Sequence, residues 1–445
     1  MYKVMEGDGA GGRHPWPGAG WSGAPLSVQD ARFRSGFRFY MYNSGPFNTS
    51  AVERCYKQKM GITQDLSNID SRIPVFKRMY VAELALWPAL RAHELRTHNP
   101  DEASLFIIGF SPFLAERLKC PGIPEKWQDA VVQGLKESKH FRKKGGQDHL
   151  IFLMRFGLKL SPPLQALLDA GSLVVTTDRF FWGVMQTVPS PYKSGSVLVL
   201  PYVAPFHLDH AEEDGARPNP KDPRTHYFFA GTYQRRFGAR GTLAELADHL
   251  TSVNFTDIRI PKTVAPGNGL ALSSPEIVAA SSAAQRRSSV CMSPQGDAIT
   301  SGRLFESMAA GCVPVVVAPR ESMMEELPLP SLIDWDSVAL FTDNFETISK
   351  KQGGVEAAGK AIEELVGPGA GPKEQERLAC MQRLCKKVFF DHLSYFNNPE
   401  GLATSMLLEA WVLLQKRGVI TGPFAPPGTV GGKGPWTTWG KTQAT

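Results

Sequence analysis

The sequence predicts an α/β protein built from two successive units of parallel sheet. Three observations carry this. Short, mostly apolar runs such as Ala103–Gly109, Leu173–Thr177 and Cys312–Val317 alternate with windows of helical period. Strands that are apolar on every side belong to sheets covered on both faces. A polar stretch from His210 to Arg224, with Glu212-Glu213-Asp214-Gly215 and prolines at 218, 220 and 223, divides an earlier set of such runs from a later one, as linkers do. Finally, residues 289–317 compress a strand, a glycine-bearing loop, a helix and a second strand into one short span, the outline of a βαβ unit.

Taken in order, residues 1–35 are rich in glycine, proline and tryptophan and read as a disordered leader. Within them Gly7-Asp8-Gly9-Ala10-Gly11-Gly12 spells G-x-G-x-x-G, but with no strand before it and no helix after it the match has no dinucleotide-binding context. Phe37–Tyr42 reads as an opening strand ended by Asn43-Ser44-Gly45-Pro46. From Val81 to Arg96, Leu84, Trp87, Leu90, Ala92 and Leu95 recur at roughly helical spacing, with Pro88 as a kink. Buried strands are expected at 103–109, 150–154, 173–177, 197–200 and 226–230. The second half repeats the alternation: helix Gly241–Leu250, strand Phe255–Ile260, helix Pro275–Arg287, strand Val290–Met292, helix Gly302–Ala310 and strand Cys312–Val317. Helical windows follow at Gln375–Phe390 and Leu402–Leu414. The expected division is a leader to 35, a first unit at 36–215, a second at 216–372, helices at 373–416 packing back on both, and a mobile tail at 417–445.

Composition narrows the classes. The 445 residues are 42% hydrophobic and 21% charged, with 42 glycines and 34 prolines, which suits a loop-rich globular protein and excludes collagen and coiled coil. The net charge of +6 is not gathered on one long face: Lys139–Lys144 and Arg235-Arg236 are short and separate, so no nucleic-acid partner is expected. No run approaches the 18 apolar residues of a membrane span, and the N-terminus lacks the apolar core of a signal peptide; the chain reads as untargeted or as lacking its natural start. Six irregularly spaced cysteines are compatible with buried thiols or with one or two disulfides. The sequons at Asn48-Thr49-Ser50 and Asn254-Phe255-Thr256 permit a secretory location without arguing for one. Walker A, G-x-S-x-G and H-E-x-x-H motifs do not occur.

The chemistry concentrates at 289–317. In open parallel sheets the ligand crevice lies outside the carboxyl ends of the strands, which places Gln295–Ser301, with Gly296 in the turn, at such a crevice. Free N–H groups in the first turn of the following helix favour phosphate, and Thr300 or Ser301 can cap that turn. Arg303 and Glu306, three apart, share a helix face. A guanidinium suits diphosphate oxygens, and a carboxylate suits paired ribose hydroxyls.

This stretch resembles the donor-binding region of the exostosin-like glycosyltransferases, family 47 of the sugar-transferring enzymes. The resemblance rests on Cys291 and Pro294, the Thr300-Ser301 pair, Arg303-Leu304-x-Glu306 and Gly311-Cys312-x-Pro314-Val315. Further blocks follow in the family's order: Phe39–Tyr42, Arg96–Phe110, Gly146-Gln147-Asp148-His149, Val199–Tyr202, Phe228–Gly231 with Arg240, and Leu327-Pro328 to Asp334-Trp335. Gln147 stands where the family usually has arginine and Leu329 where phenylalanine is common, and the usual N-terminal anchor is missing.

The resemblance implies a GT-B-like fold, two Rossmann-like domains with parallel sheets facing across a cleft, and inverting transfer from a nucleotide sugar, UDP-linked by preference, to a glycan hydroxyl. It implies donor contacts from Gly231, Arg235, Arg236, Arg240, Gly296, Thr300, Ser301, Arg303 and Glu306. One of Asp148 and His149 is expected to face the cleft, His149 as the base candidate and Asp148 as its orienter or an acceptor contact, with a merely structural role for the pair as the competing reading. No cofactor and no divalent metal are expected: Asp334-Trp335-Asp336 spells D-x-D but falls where the family has a structural segment. The implied partners are the nucleotide sugar and a glycan acceptor, with a homo- or hetero-oligomer left open, and the implied location is the Golgi. The competing implication is a degenerate member serving as partner subunit of an active transferase.

Overall fold

The computed structural model describes residues 36–63, 81–123, 126–154, 160–177, 195–204, 226–231, 254–259, 275–295, 299–318, 320–342 and 370–420, with isolated positions at 243–246 and 356–367. The leader, the 210–224 linker and residues 421–445 lie outside them.

The first sheet contains β1 (Phe39–Tyr42), β2 (Leu105–Ile108), β3 (His149–Phe152), β4 (Leu173–Thr176) and β5 (Val197–Val199), side by side in that order and all parallel. Every residue of β2, β3 and β4 is buried, as expected of a sheet covered on both faces. One further pairing sets the topology. Phe39 bridges in parallel to Arg96, its N–H donating to the Leu95 carbonyl at 3.1 Å while Thr97 N–H donates to the Phe39 carbonyl at 2.9 Å. Leu95–Thr97 therefore lies outside β1, and the chain crosses back over β1 to form β2. Counted with this short edge, the order is 2-1-3-4-5-6, and its direction reverses between β1 and β2. The single helix expected over Val81–Arg96 is thus divided into a turn at Ala82–Ala85, a helix Trp87–Ala92 and this extended edge. Pro88 sits at the start of the second helix, where its missing N–H costs nothing.

The second sheet contains β6 (His226–Gly231), β7 (Asn254–Arg259), β8 (Val290–Pro294), β9 (Val313–Val317) and β10 (Leu340–Thr342). Its order, β10-β9-β8-β6-β7, is again all parallel and again reverses after its first strand, between β6 and β8. The expected architecture, two α/β units each with a parallel sheet, is what the structure shows.

Eleven of the helices matter here: α1 (Ser50–Met60), α2 (Trp87–Ala92), α3 (Pro112–Leu118), α4 (Trp127–Glu137), α5 (Lys139–Lys144), α6 (Pro162–Asp169), α7 (Pro275–Arg287), α8 (Gly302–Ala310), α9 (Arg320–Glu326), α10 (Pro372–Val388) and α11 (Pro399–Lys416). Gly311, at φ +73°, ends α8 in a left-handed cap and lets Cys312 start β9 at once. α10 packs on α8 and β9, whereas α11, buried along most of its length, packs on β5 and α2. A five-residue π-helical segment, Phe389–Leu393, leads out of α10 toward α11. One hydrophobic cluster consequently runs from the first sheet through α11 to Leu304, Phe305 and Met308 on α8 and on to Trp335. No helix among the described residues is long and apolar enough to cross a membrane.

Candidate functional site

β8 and β9 pair along the whole of Val290–Pro294, and Gln295 N–H extends the ladder to the Val317 carbonyl at 3.1 Å. β6 pairs with β7 from His226 to Gly231 but with β8 only at Tyr227↔Val290 and Phe228↔Cys291. Beyond those two residues β6 and β8 part, and they part at their carboxyl ends. This is the switch point of the second sheet, the position at which open α/β sheets bind ligands.

Several of the expected donor-side residues fall within the described part of this opening. Arg303, in the first turn of α8, donates from Nε to the Ala230 carbonyl at 2.8 Å, and its guanidinium lies 5.6 Å from the centre of the Phe229 ring. The side chain is thereby fixed across the gap from α8 to the end of β6, beside Gly231. A β-carbon added at Gly302 would stand 3.7 Å from Glu306 Oε1. Glu306 thus reaches back over the first turn, and both charged side chains serve the same end of the helix. Gln295 and Thr300 are only 4% and 2% exposed, yet Gln295 Oε1, Thr300 Oγ1 and the neighbouring Ser301 Oγ are buried with no hydrogen-bond partner. Ser301 occupies the N-cap position of α8 without capping it. Buried polar atoms are nearly always satisfied. Three that are not lie together beside the N-terminus of α8. Gly296, Arg235, Arg236 and Arg240 lie outside the described residues.

α8 also touches the first unit. Phe305, two residues after Arg303, packs its ring 6.3 Å from that of Tyr202, just after β5, and the preceding Pro201 carbonyl accepts from the Tyr395 hydroxyl at 3.0 Å. The "Leu200-Pro201-Tyr202" strand exit is therefore an inter-unit contact.

Asp148 and His149 are elsewhere. His149 is the first residue of β3, at the amino edge of its sheet, opposite to the edge where ligands bind. Its ring has no exposed surface and is stacked 4.7 Å from Phe106, with Tyr42 and Phe141 on its other sides. Nδ1 lies 2.8 Å from Asp148 Oδ1 and Nε2 lies 3.3 Å from the Tyr42 hydroxyl, which in turn reaches Ser138 Oγ at 2.9 Å. Burial holds the imidazole below its ordinary pKa, and Asp148 opposes this. Asp148 is itself buried, with Lys144 Nζ 3.6 Å away. The motif closes the core beneath α5: a β-carbon at Gly146, at φ +81°, would overlap the Phe141 ring. The cleft-facing base expected of His149 is corrected on this geometry. The pair is enclosed because β3 begins at His149 and α5 covers it.

Asp334-Trp335-Asp336 forms a 3-10 turn before β10, with Trp335 buried and its indole N–H donating to the Pro328 carbonyl at 2.9 Å. Among the described residues no three His, Cys, Asp or Glu side chains come together as a metal cluster. The cysteine pairing left open by the sequence resolves into Cys55–Cys120, joining α1 to the end of α3, and Cys291–Cys312, joining β8 to the start of β9. Cys380 and Cys385 are free, and burial pushes the Cys385 thiol up to about 12.

Comparison with known proteins gives the family. The Exostosin GT47 domain matches residues 34–351. Probable arabinosyltransferase ARAD1 of Arabidopsis thaliana is 24% identical over 332 residues, covering 69% of this chain and 66% of that protein. A probable glucuronosyltransferase of Oryza sativa subsp. japonica is 25% identical over 286 residues, covering 60% of this chain and 59% of that protein. The chain thus spans about three-fifths to two-thirds of the length of these relatives. Solved structures matched along most of the chain include the glycotransferase of kitacinnamycin, at 13% identity, 83% and 98% coverage and a TM-score of 0.28. Another is S. aureus MnaA with UDP, at 10% identity, 87% and 98% coverage and a TM-score of 0.32.

Proposed function

The chain belongs to the exostosin GT47 domain family, and from that premise we propose that it is an inverting glycosyltransferase moving a sugar from a nucleoside-diphosphate sugar to a glycan hydroxyl. The observation that carries this reading is the group of buried, unpartnered polar atoms at Gln295, Thr300 and Ser301, set beside Arg303 and the N-terminus of α8 where β6 and β8 part. Backbone N–H groups and the helix dipole favour a diphosphate there, and they favour it more as negative charge builds on the departing nucleotide. Arg303, braced on the Ala230 carbonyl, supplies a guanidinium already in place. Glu306 is assigned to the ribose hydroxyls. The acceptor is assigned to the carboxyl edge of the first sheet, near the exits of β1 and β2, and the base that takes the hydroxyl proton belongs on that edge.

The names of the two relatives nominate UDP-arabinose and UDP-glucuronic acid as the first donors to test. Two disulfides support maturation in an oxidising compartment such as the secretory lumen. The competing reading, a partner subunit without its own turnover, is not favoured, because the two relatives are themselves named as transferases.

Calorimetry with UDP tests the proposal. The wild type should bind, and Arg303→Ala and Glu306→Ala should each weaken binding. A charge-assisted hydrogen bond is worth about 1.5–3 kcal/mol, or roughly 10- to 150-fold in affinity. Unchanged affinity in both variants refutes the assignment.

A further inference from the structure

Glu83 lies in the short helical turn Ala82–Ala85, and its side chain is buried in the first unit at 1% exposure. A buried carboxyl group needs partners, and those of Glu83 come from two separate strand exits. Oε2 accepts from Leu114 N–H at 3.1 Å, with Phe113 N–H also bonded to the carboxyl, and both lie in the first turn of α3, just beyond the carboxyl end of β2. Oε1 stands 3.5 Å from the Met154 N–H, two residues beyond the carboxyl end of β3. The Ser111 hydroxyl, fully buried where β2 passes into α3, donates to the Glu83 carbonyl at 3.3 Å. One residue therefore ties the exits of two adjacent strands to a third segment of chain.

The same edge contains the switch point of the first sheet. Gly109 N–H donates to the Tyr42 carbonyl at 3.0 Å, and a β-carbon at Gly109 would overlap the carbonyl oxygens of Tyr42 and Phe47. The exits of β1 and β2 thus touch backbone to backbone, and the Glu83 carboxyl holds the next exits in line. Such main-chain closeness leaves little freedom for small shifts, and a misplacement of 1 Å at a reacting group costs about 10²-fold in rate.

We propose that Glu83 is a positioning residue of the acceptor half, its carboxyl holding the exits of β2 and β3 in one geometry at the edge where the acceptor binds. This rests on the reading of the first sheet's carboxyl edge as the acceptor side. Glu83 acts through the backbone of Ser111–Leu114 and Leu153–Met154 and does not itself touch substrate. Glu83→Ala removes the acceptor atoms, whereas Glu83→Gln keeps a carbonyl oxygen of the same reach.

The test uses the full chain with UDP-arabinose or UDP-glucuronic acid and solubilised polysaccharide, with the stoichiometry of UDP binding counting folded protein. In Glu83→Ala, kcat per UDP-binding site should fall at least tenfold while the donor KM and UDP affinity stay within twofold, and Glu83→Gln should restore kcat to within about threefold of wild type. Amide exchange gives a second measurement that needs no turnover. The Leu114 amide should exchange slowly in the wild type and in Glu83→Gln, and fast in Glu83→Ala. Wild-type kcat in Glu83→Ala, or fast exchange at Leu114 in the wild type, overturns the proposal. A wild type that binds no UDP overturns the transferase reading instead and leaves the exchange result to judge the clamp.

Discussion

Replacing Glu83 by glutamine should change how the stability of the protein depends on pH. Burial raises the Glu83 carboxyl from its ordinary 4.5 to about 8, against the pull of the N–H groups of Leu114, Met154 and Phe113. The folded protein therefore keeps this proton up to about pH 8, whereas the unfolded chain releases it from about pH 4.5. Wherever the unfolded state binds fewer protons, stability falls as pH rises. The contribution is fully present below about pH 4.5, declines between 4.5 and 8, and is gone above 8. At 1.36 kcal/mol per pH unit, that interval is worth roughly 5 kcal/mol. Glutamine has no proton to release, so the variant lacks this slope and gains on the wild type as pH rises. Urea unfolding of both proteins at pH 5, 6, 7 and 8 measures the difference directly. The two stability curves should converge toward low pH and separate by several kcal/mol by pH 8. Parallel curves would show that the carboxyl titrates normally in the folded chain and that burial does not hold its proton.

Other expectations are as specific. His149→Ala should cost roughly 2–4 kcal/mol of stability, because it empties a stacked site and takes from buried Asp148 its imidazole partner, while turnover per UDP-binding site stays within a few-fold; a loss of 10³-fold or more in kcat would restore His149 as the base. Gly109→Ala forces a β-carbon against two carbonyl oxygens, so soluble, folded protein should fall sharply in yield or in melting temperature, and a variant with wild-type melting would contradict the close approach. Mass spectrometry of the unreduced protein should find Cys55 joined to Cys120 and Cys291 to Cys312, with Cys380 and Cys385 unjoined; six free thiols would remove the support for an oxidising compartment. From loop lengths of 65 and 21 residues, breaking the bonds should cost about 4 and about 3 kcal/mol respectively.

What was legible in the sequence was local. β8, α8 and β9 could be read because a valine-rich strand, a helix of clear period and Gly311 stand in immediate succession, and short-range geometry then fixes which residues meet at the start of α8. The spacing of Arg303 and Glu306 carried over intact for the same reason. What was not legible depends on partners distant in the chain. The apolar period of Leu84, Trp87, Leu90 and Leu95 continues through the point where Leu95–Thr97 leaves the helix to pair with Phe39, so periodicity alone could not show the edge that reverses the sheet order. The Asp148-His149 pair has the composition of a catalytic dyad, but its burial is decided by Phe106, Phe141 and Tyr42, from three other elements. Glu83 was invisible because a single acid in an apolar run announces nothing until α3 and β3 bring their N–H groups to it.

In the proposed reading a nucleoside diphosphate occupies the opening between the carboxyl ends of β6 and β8. A crystal structure of the full chain with UDP tests it most directly. The diphosphate should lie within hydrogen-bond reach of the backbone N–H groups at the start of α8 and of the Arg303 guanidinium, with Gln295, Thr300 or Ser301 gaining the partners they lack in the free chain. UDP bound at another edge of either sheet, with these three side chains still unpaired, would contradict it.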